Sequence, residues 1–308
     1  MKKVSIITVH YNEPEMTHRL LRALAPLVGE EVEWVVVDNG SAPERSVRPF
    51  ADVFPNVRFV FSDRNLGFAG GNALALPHVS GRYLFFLNND ALPEPDAMDR
   101  LAAFLDAHPR AGAVSPLILA KAGADAPPRV LYAGKTPVHP LTGRNATLGR
   151  GATDPGRWPE PFPTAYVHGA AMMVRREVLD TVGFMDADYF LYYEELDWGE
   201  RMRRAGWELW VEPRARVWHD ESHTVGTDSP LKVFFLNRNR WRFMWRNRTR
   251  WQAMAFAAWF FAVAVPMQAL GALRRGQRAH LVALRDAVRW VLGSAAFRQK
   301  LENHWKPA

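Results

Sequence analysis

Acids capable of taking a proton from a hydroxyl are concentrated in YFLYYEELDWGERMRRAG, Tyr189 to Gly206, where Glu194 and Glu195 are followed by Asp197. The three acids open a segment of helical spacing, and a helix dipole favours negative charge at that end. An ordinary solvated helix start, pairing i to i+4 with Arg201, would account for them as well. The aromatic run Tyr189, Phe190, Tyr192 and Tyr193 argues against a plain solvent face, since a carboxylate walled by rings loses water and gains proton affinity. A second stretch, LFFLNND (Leu84 to Asp90), empties an apolar run into Asn88, Asn89 and Asp90. Such oxygens suit a hard divalent cation and, through it, a diphosphate, although Asn and Asp also favour simple turns. His219 in VEPRARVWHDESH, Val211 to His223, could be a metal ligand, a base or a satisfied core histidine; for a lone histidine the last is the commonest. The glycines of NLGFAGGNALAL, Asn65 to Leu76, open a helix without the spacing of a dinucleotide fingerprint, which leaves close backbone approach to a ligand as their reading.

The elements that must position these groups can be read from hydrophobic spacing. Apolar runs Val4–Val9, Val32–Val37, Val57–Phe61 and Tyr83–Leu87 have strand length, with helical spacing near 14–27, 43–52, 69–78 and 95–107. Strands alternating with helices predict a mainly parallel sheet covered on both faces, with ligands at the carboxyl ends of the strands. Polar residues stand at those ends: Thr8, His10 and Asn12; Asp38, Asn39 and Ser41; Asp63, Arg64 and Asn65; Asn88, Asn89 and Asp90. Residues 120–163 are rich in Pro and Gly and predict an irregular excursion. A strand over Ala165–Val174, a helix near 175–182, a helix over 195–205 and a strand over Trp207–Val211 follow, with Leu196, Met202 and Trp198 turned to the core.

Composition narrows the function. The 308 residues contain no cysteine, which excludes a disulfide scaffold, a zinc-thiolate site, an iron–sulfur cluster and a cysteine nucleophile. Lys2 and Lys3 precede only the short run Val4–Val9, with no small-residue cleavage site, so no signal peptide is expected. The net charge of +7 is unevenly spread: residues 238–308 hold 14 Lys and Arg against Asp286 and Glu302, a net of +12, and the rest of the chain carries −5. Within that tail, Trp251–Leu273 has no charged side chain and is flanked by arginines on both sides. At about 1.5 Å per residue it could span a bilayer core of about 30 Å. Pro266 and basic flanks on both sides favour a helix lying on an anionic leaflet, or one docked on protein, over a simple span.

The stretches SIITVHYNEP, VVVDNGS, NLGFAGGNA, FLNND, HGAAMMVRREVLDTVGFMD, YYEELDWGERMRRAGW and ARVWH, in that order, resemble family 2 glycosyltransferases of the GT-A fold, especially bacterial rhamnosyltransferase-like members. The resemblance runs from about residue 3 to 240. It implies an α/β fold with a GT-A-type nucleotide-binding, mainly parallel sheet flanked by helices, and a C-terminal helical, basic and apolar extension. It implies a catalytic domain over 1–237, with a donor half at about 1–118 and an acceptor half at about 160–237, and the charge and apolar run of 238–308 add a membrane- or partner-associating tail. The implied reaction is the inverting, metal-dependent transfer of a hexose from a nucleoside diphosphate to an acceptor hydroxyl. By the same likeness Asp38 recognises the base, with Thr8, Asn12 and Ser41 nearby; Arg64, Asn65, Asn88 and Asn89 are further donor contacts. Asn88–Asp90 replaces the family's D-x-D motif with N-x-D, leaving Asp90 and His219 to hold Mg²⁺ or Mn²⁺. Glu195 matches the usual catalytic base, with Glu194 and Asp197 as second choices.

The expected donor is dTDP-rhamnose, with UDP- or GDP-linked sugars as alternatives, and the expected acceptor is lipid-linked or a polysaccharide in cell-surface glycan assembly. A cytoplasmic enzyme, peripheral on the inner face of the cell membrane or crossing it once, follows; a second copy of the chain is a candidate partner. A nucleotidyltransferase would show a Gly-rich signature with Arg and Lys after the first strand, where this chain has HYNEPE. The Arg/Trp tail could instead serve a nucleic-acid-binding module, but the uninterrupted apolar run after it favours lipid or protein, and no nucleic-acid partner is expected.

Overall fold

The first four apolar runs become Val4–His10 (β1), Val32–Asn39 (β2), Arg58–Ser62 (β3) and Tyr83–Leu87 (β4), parallel strands in the order β3–β2–β1–β4. The structure is a computed structural model and describes residues 3–120, 127–153, 155–220 and 229–307. Neighbouring residues that point to opposite faces, such as Ile6 and Ile7 or Phe85 and Phe86, are all buried, as a sheet covered on both sides requires. Helices Pro14–Leu24 (α1), Gly67–Ala75 (α2) and Ala97–Ala107 (α3) lie where spacing places them. The helix expected over 43–52 does not form. Two 3₁₀ turns, Pro43–Arg45 and Arg48–Phe50, replace it, because the Asp38 carboxylate captures the Ser46 hydroxyl (2.5 Å) and the Val47 N–H (3.1 Å) and bends the chain between them.

Beyond β4 the sheet becomes mixed. Ala91–Pro93 (β5), Ala111–Ala120 (β6), Arg129–Tyr132 (β7), Phe162–Pro163 (β8), Ala171–Arg175 (β9) and Glu208–His219 (β10) complete the order β3–β2–β1–β4–β9–β6–β10–β5, with β7 on β6 and β8 on β10. The strand β9 runs antiparallel between β4 and β6, whereas β6 and β10 are parallel. The stretch 120–163 is therefore less irregular than its composition suggests; its residues 121–126 and 154 lie outside those described. The strand expected from Ala165 begins only at Ala171, since the Ala165 N–H leaves the ladder for the Lys135 carbonyl. The last strand runs on past Val211. Its register with β6 slips between Glu212 and Arg216, so Pro213, Arg214 and Ala215 form a bulge closed by hydrogen bonds from Arg214 to Glu212. Past the bulge, β10 delivers His219 opposite Ala91. The final residues of that motif, Glu221 to His223, fall outside the described set.

Glu177–Val182 (α4) and Glu194–Arg204 (α5) lead into β10, and α5 buries Leu196, Trp198 and Met202 as its spacing predicts. Pro230–Asn247 (α6), Arg250–Trp259 (α7), Val265–Arg274 (α8), Arg278–Leu292 (α9) and Ala295–Trp305 (α10) form the C-terminal layer. Helix α6 passes through residue 238 unbroken and packs on α9. Helices α7 and α8 are joined by a π turn, Phe260–Ala264, into one rod over Arg250–Arg274. That turn sits just ahead of Pro266, whose ring crowds a preceding carbonyl and whose nitrogen has no N–H to donate; the wider turn absorbs both without stopping the helix.

Candidate active site

The polar residues after β1 and β2 fold onto one another. Asn12 has a left-handed backbone (φ 58°); its N–H donates to Ser41 Oγ (3.0 Å) and its Oδ1 accepts from the Ala42 N–H (2.9 Å). Asp38 accepts from the Ser41 N–H (3.0 Å), the Ser46 hydroxyl and the Val47 N–H. Burial opposes its charge, but the hydrogen bonds from Ser46 and Ser41 outweigh that and hold its pKa below the ordinary carboxylate value. Gly40, at φ +75°, lets this loop press on the backbone of Arg64 and Asn65 with no room for a Cβ. Arg64 itself is exposed at the rim. Asn65 caps the turn into α2, its Oδ1 accepting from the Gly67 N–H (2.8 Å) and from Asn39 Nδ2 (3.1 Å). Thr8 is not brought to this cleft. It is fully buried, and its hydroxyl accepts from the Trp34 indole (3.1 Å), because Thr8 lies within β1 rather than beyond its end.

The β4 end is built differently. Asn88 is tied by its backbone, which donates to Ala170 O (2.9 Å) and accepts from the Ala91 N–H (3.1 Å). Asn89 Nδ2 donates to Thr17 Oγ1 (3.1 Å), which in turn meets buried His10 at 2.8 Å, so Asn89 braces α1. Asp90 alone turns to β10, with Oδ1 3.1 Å from His219 Nε2. Asp90 Oδ1 and His219 Nδ1 are both buried without a hydrogen-bond partner. Asp90 Oδ1, itself orphaned, and the His219 Nε2 that faces it are an oxygen and a nitrogen donor that fit a divalent cation, which would take its remaining ligands from a diphosphate and water. No cluster of three or more acidic, His or Cys side chains able to hold a metal occurs among the described residues. Behind the pair stands His168, its ring 6.2 Å from that of His219. It accepts the Ala170 N–H at Nδ1 (3.1 Å), and burial, reinforced by Lys135, pushes its pKa well below the usual imidazole value.

The three acids of α5 are sorted by the turn that precedes them. Phe190, Tyr192 and Tyr193 all have positive φ (64°, 70° and 75°), a strained stretch held from two sides. On one side the N-terminus of α2 docks: the Phe68 N–H donates to Phe190 O (2.8 Å), and Gly67 has no room for a Cβ against that same carbonyl. Gly67 of that motif thus admits protein backbone, and Gly70 and Gly71 admit the side chains of Leu66, Val9 and Asn39. On the other side, Asn239 Nδ2 of α6 donates to the carbonyls of Tyr189 (2.9 Å), Leu191 (2.6 Å) and Tyr192 (2.8 Å), and Arg238 donates to those of Asp188 and Tyr189. Asp197 is wholly buried, accepting from Tyr189 (3.2 Å), Arg201 (3.0 Å) and Asn247 (2.7 Å), so the structure makes it a structural hub that no substrate can reach. Glu194 is also buried, with Oε2 unpartnered; burial, and secondarily the charge of Glu195, raise its pKa well above the carboxylate range. Glu195 is the acid that lines a cavity of about 520 Å³ between the sheet end and the C-terminal layer. Its Oε1 pairs with Lys135 Nζ at 3.0 Å.

Sequence reading missed Lys135, His168, Asn239 and Arg240. No spacing rule links Lys135 to an acid sixty positions away; His168, set in HGAAMMV, was at least visible inside a matching stretch.

A mainly parallel, mixed sheet with helices around it, a polar loop cluster at its strand ends and a C-terminal helical layer is the architecture of GT-A glycosyltransferases, and the solved structures it matches share that fold. The chain matches 87% of its length to 58% of GalNAc-T7, solved with UDP, GalNAc and Mn²⁺, at TM-score 0.59 and 14% identity. It matches 98% of its length to 79% of the mannosyltransferase PcManGT from Pyrobaculum calidifontis, solved with GDP-Man and Mn²⁺, at TM-score 0.55 and 16% identity. The sequence model of Glycosyl transferase family 2 matches residues 5–183, and the chain belongs to that family. Among its relatives is the N-acetylglucosaminyl-diphospho-decaprenol L-rhamnosyltransferase of Mycobacterium tuberculosis, 28% identical over 282 residues, 80% of this chain and 87% of that protein. A low-salt glycan biosynthesis hexosyltransferase, Agl10 of Haloferax volcanii, is 26% identical over 65% of this chain and 62% of its own.

Proposed function

We propose that this glycosyltransferase moves a hexose, rhamnose from dTDP-rhamnose in the first instance, with inversion, onto a hydroxyl of a lipid-linked glycan acceptor at a membrane surface. The observation that carries it is the placement of Glu195. A half-hidden carboxylate stands in a cavity at the head of α5, with Lys135 and His168 between it and the Asp90–His219 pair. Asp38, Ser41, Asn12, Arg64 and Asn65 shape the donor cleft in residues 1–118; residues 160–237, with α6, hold the acceptor. Glu195 takes the proton of the acceptor hydroxyl at Oε2 while Lys135 holds Oε1, and attack follows at the anomeric carbon on the face opposite the departing diphosphate. Asp90 and His219 would hold Mg²⁺ or Mn²⁺, which when bound offsets charge on the leaving diphosphate. The likeness to the mycobacterial rhamnosyltransferase, covering most of both chains, supports the donor and the acceptor class.

The outer face of the α7–α8 rod supports attachment in the membrane plane. Trp251 (79% exposed), Met267 (69%) and Leu273 (62%) project from it, while Phe256 and Phe260 on the opposite face are buried against protein. Among the described residues this rod is long and apolar enough to cross a membrane. A crossing would strip Phe256 and Phe260 from their packing, whereas lying flat keeps it and sets Arg250, Arg274, Arg275 and Arg278 near anionic headgroups.

A thermal-shift screen of sugar nucleotides with and without Mn²⁺ identifies the donor, since a ligand binding only the folded state raises its stability. Glu195→Gln is expected to lower transfer by about 10²–10⁴-fold while donor binding persists. Undiminished turnover would remove Glu195 from the mechanism.

A further inference from the structure

The cavity in front of Glu195 is more basic than a neutral sugar hydroxyl needs. Lys135, Arg144, Lys232 and Arg240 line it, against one carboxylate, Glu195, which Lys135 already engages. Arg240 is buried, yet its Nε and Nη1 have no hydrogen-bond partner; nor does the buried Nδ2 of Asn145, also in the lining. Buried N–H groups without acceptors are rare because each forfeits its bonds to water. Two guanidiniums also crowd one wall. Gly143, at φ +62°, lies so close to the Arg240 side chain that a Cβ there would fall 2.7 Å from its Cγ, and Arg144 is the next residue. Burial, then the charge of Arg240, lowers the pKa of Arg144, as two cations held close together require.

We propose that this cavity is an acceptor subsite for a phosphate or diphosphate group, with Arg240 and Asn145 as its deep donors and Arg144 and Lys232 closing on the anion from the mouth. Phosphate oxygens can satisfy the unused N–H groups of Arg240 and Asn145 together, and arginine matches their geometry in pairs. The subsite adjoins the apolar rod: Gln268 of α8 lines it, locked to Asn237 of α6 by reciprocal amide hydrogen bonds (3.1 and 3.0 Å), and Met267 beside it is exposed. An acceptor whose sugar reaches Glu195, whose diphosphate sits on Arg240 and whose lipid runs along α8 satisfies all three surfaces. The assignment rests on the transfer reading for the acceptor's role, but the anion site stands on its own geometry.

The test uses inorganic pyrophosphate on the full chain in EDTA, which disarms a metal-dependent donor cleft. Pyrophosphate is expected to raise the thermal midpoint of the wild type. Arg240→Gln should weaken its binding about tenfold or more, and the rim variant Arg144→Gln several-fold, should Arg240→Gln fail to fold. Both variants should keep the midpoint rise that sugar nucleotide plus Mn²⁺ produces. No response in the wild type, or equal pyrophosphate affinity in wild type and Arg144→Gln, overturns the subsite. Loss of the nucleotide response in Arg144→Gln also overturns it, because the cavity would then serve the donor's diphosphate. A pyrophosphate response without any nucleotide response would retire the transfer reading and leave the anion site in place.

Discussion

Helix α6 and the rod α7–α8 are neighbours in one basic, tryptophan-rich stretch of sequence, yet they are built inside out relative to each other. Helix α6 buries Asn237, Arg238, Asn239 and Arg240, while the rod exposes Trp251, Met254, Met267, Leu270 and Leu273. The tail's charge is accordingly not free. Arg238 pairs with Glu302, Arg242 with Asp186 and Asp188, Arg246 with Asp186, and Arg248 with Glu200. Three of the tail's cations, Arg242, Arg246 and Arg248, are therefore engaged against the acidic body, while Arg250, Arg274, Arg275 and Arg278 stand at the two ends of the rod. The difference teaches that polar residues of α6 carry internal architecture while the rod turns apolar ones outward, the reverse of a water-exposed helix.

Breaking α6 should cost most. Asn239→Ala removes the amide whose two N–H groups serve three carbonyls of the strained turn before Glu195, and a loss of about 2 kcal/mol in denaturant unfolding is expected, with transfer falling about 100-fold in whatever remains folded. An unfolding midpoint and transfer rate equal to wild type would show that the turn holds itself. On the rod, Met267→Glu with Leu270→Glu should lower partition onto anionic vesicles by at least about tenfold, read by flotation, and leave stability within about 0.5 kcal/mol. If these changes unfold the chain instead, the face is a protein contact. The turn also sets a pH dependence. Glu194 has a raised pKa in the fold, so between its unfolded and folded values the native state binds the extra proton and stability falls as pH rises. Glu194→Gln should flatten that decline above about pH 5, measured by denaturation across pH; an unchanged slope would assign it elsewhere. Smallest is Arg246→Ala, a partly exposed partner that Arg242 duplicates on Asp186, expected within about 1 kcal/mol.

The parallel strands, the helical start at Glu194 and the buried face of α5 were legible because each depends on residues near in sequence. The bulge at Pro213 was not: a proline and a broken alternation read as the end of a strand, although the Glu212 side chain closes the bulge and the pairing resumes at Arg216. Thr8 and Asp197 looked like site groups because polar residues at strand and helix ends often are, and only the positions of Trp34 and Asn247 reveal that both are already satisfied inside. Glu195 stood out from its neighbours by resemblance; the physical reason, that it alone of the three acids reaches the cavity, needed the turn and its clamp.

That clamp has a consequence for the order in which the molecule becomes itself. The turn at 190–193 and the Glu195 that follows it leave the ribosome well before Asn239 does. Until α6 has emerged and docked, only the α2 side of the clamp holds the turn's three residues of positive φ. A nascent or truncated chain ending before Asn239 carries every proposed donor-binding and metal-holding residue but lacks the α6 half of the clamp on the turn before Glu195. Completion of the clamp then waits on the C-terminal helical layer, so a late part of the chain sets the geometry around an acid made before it.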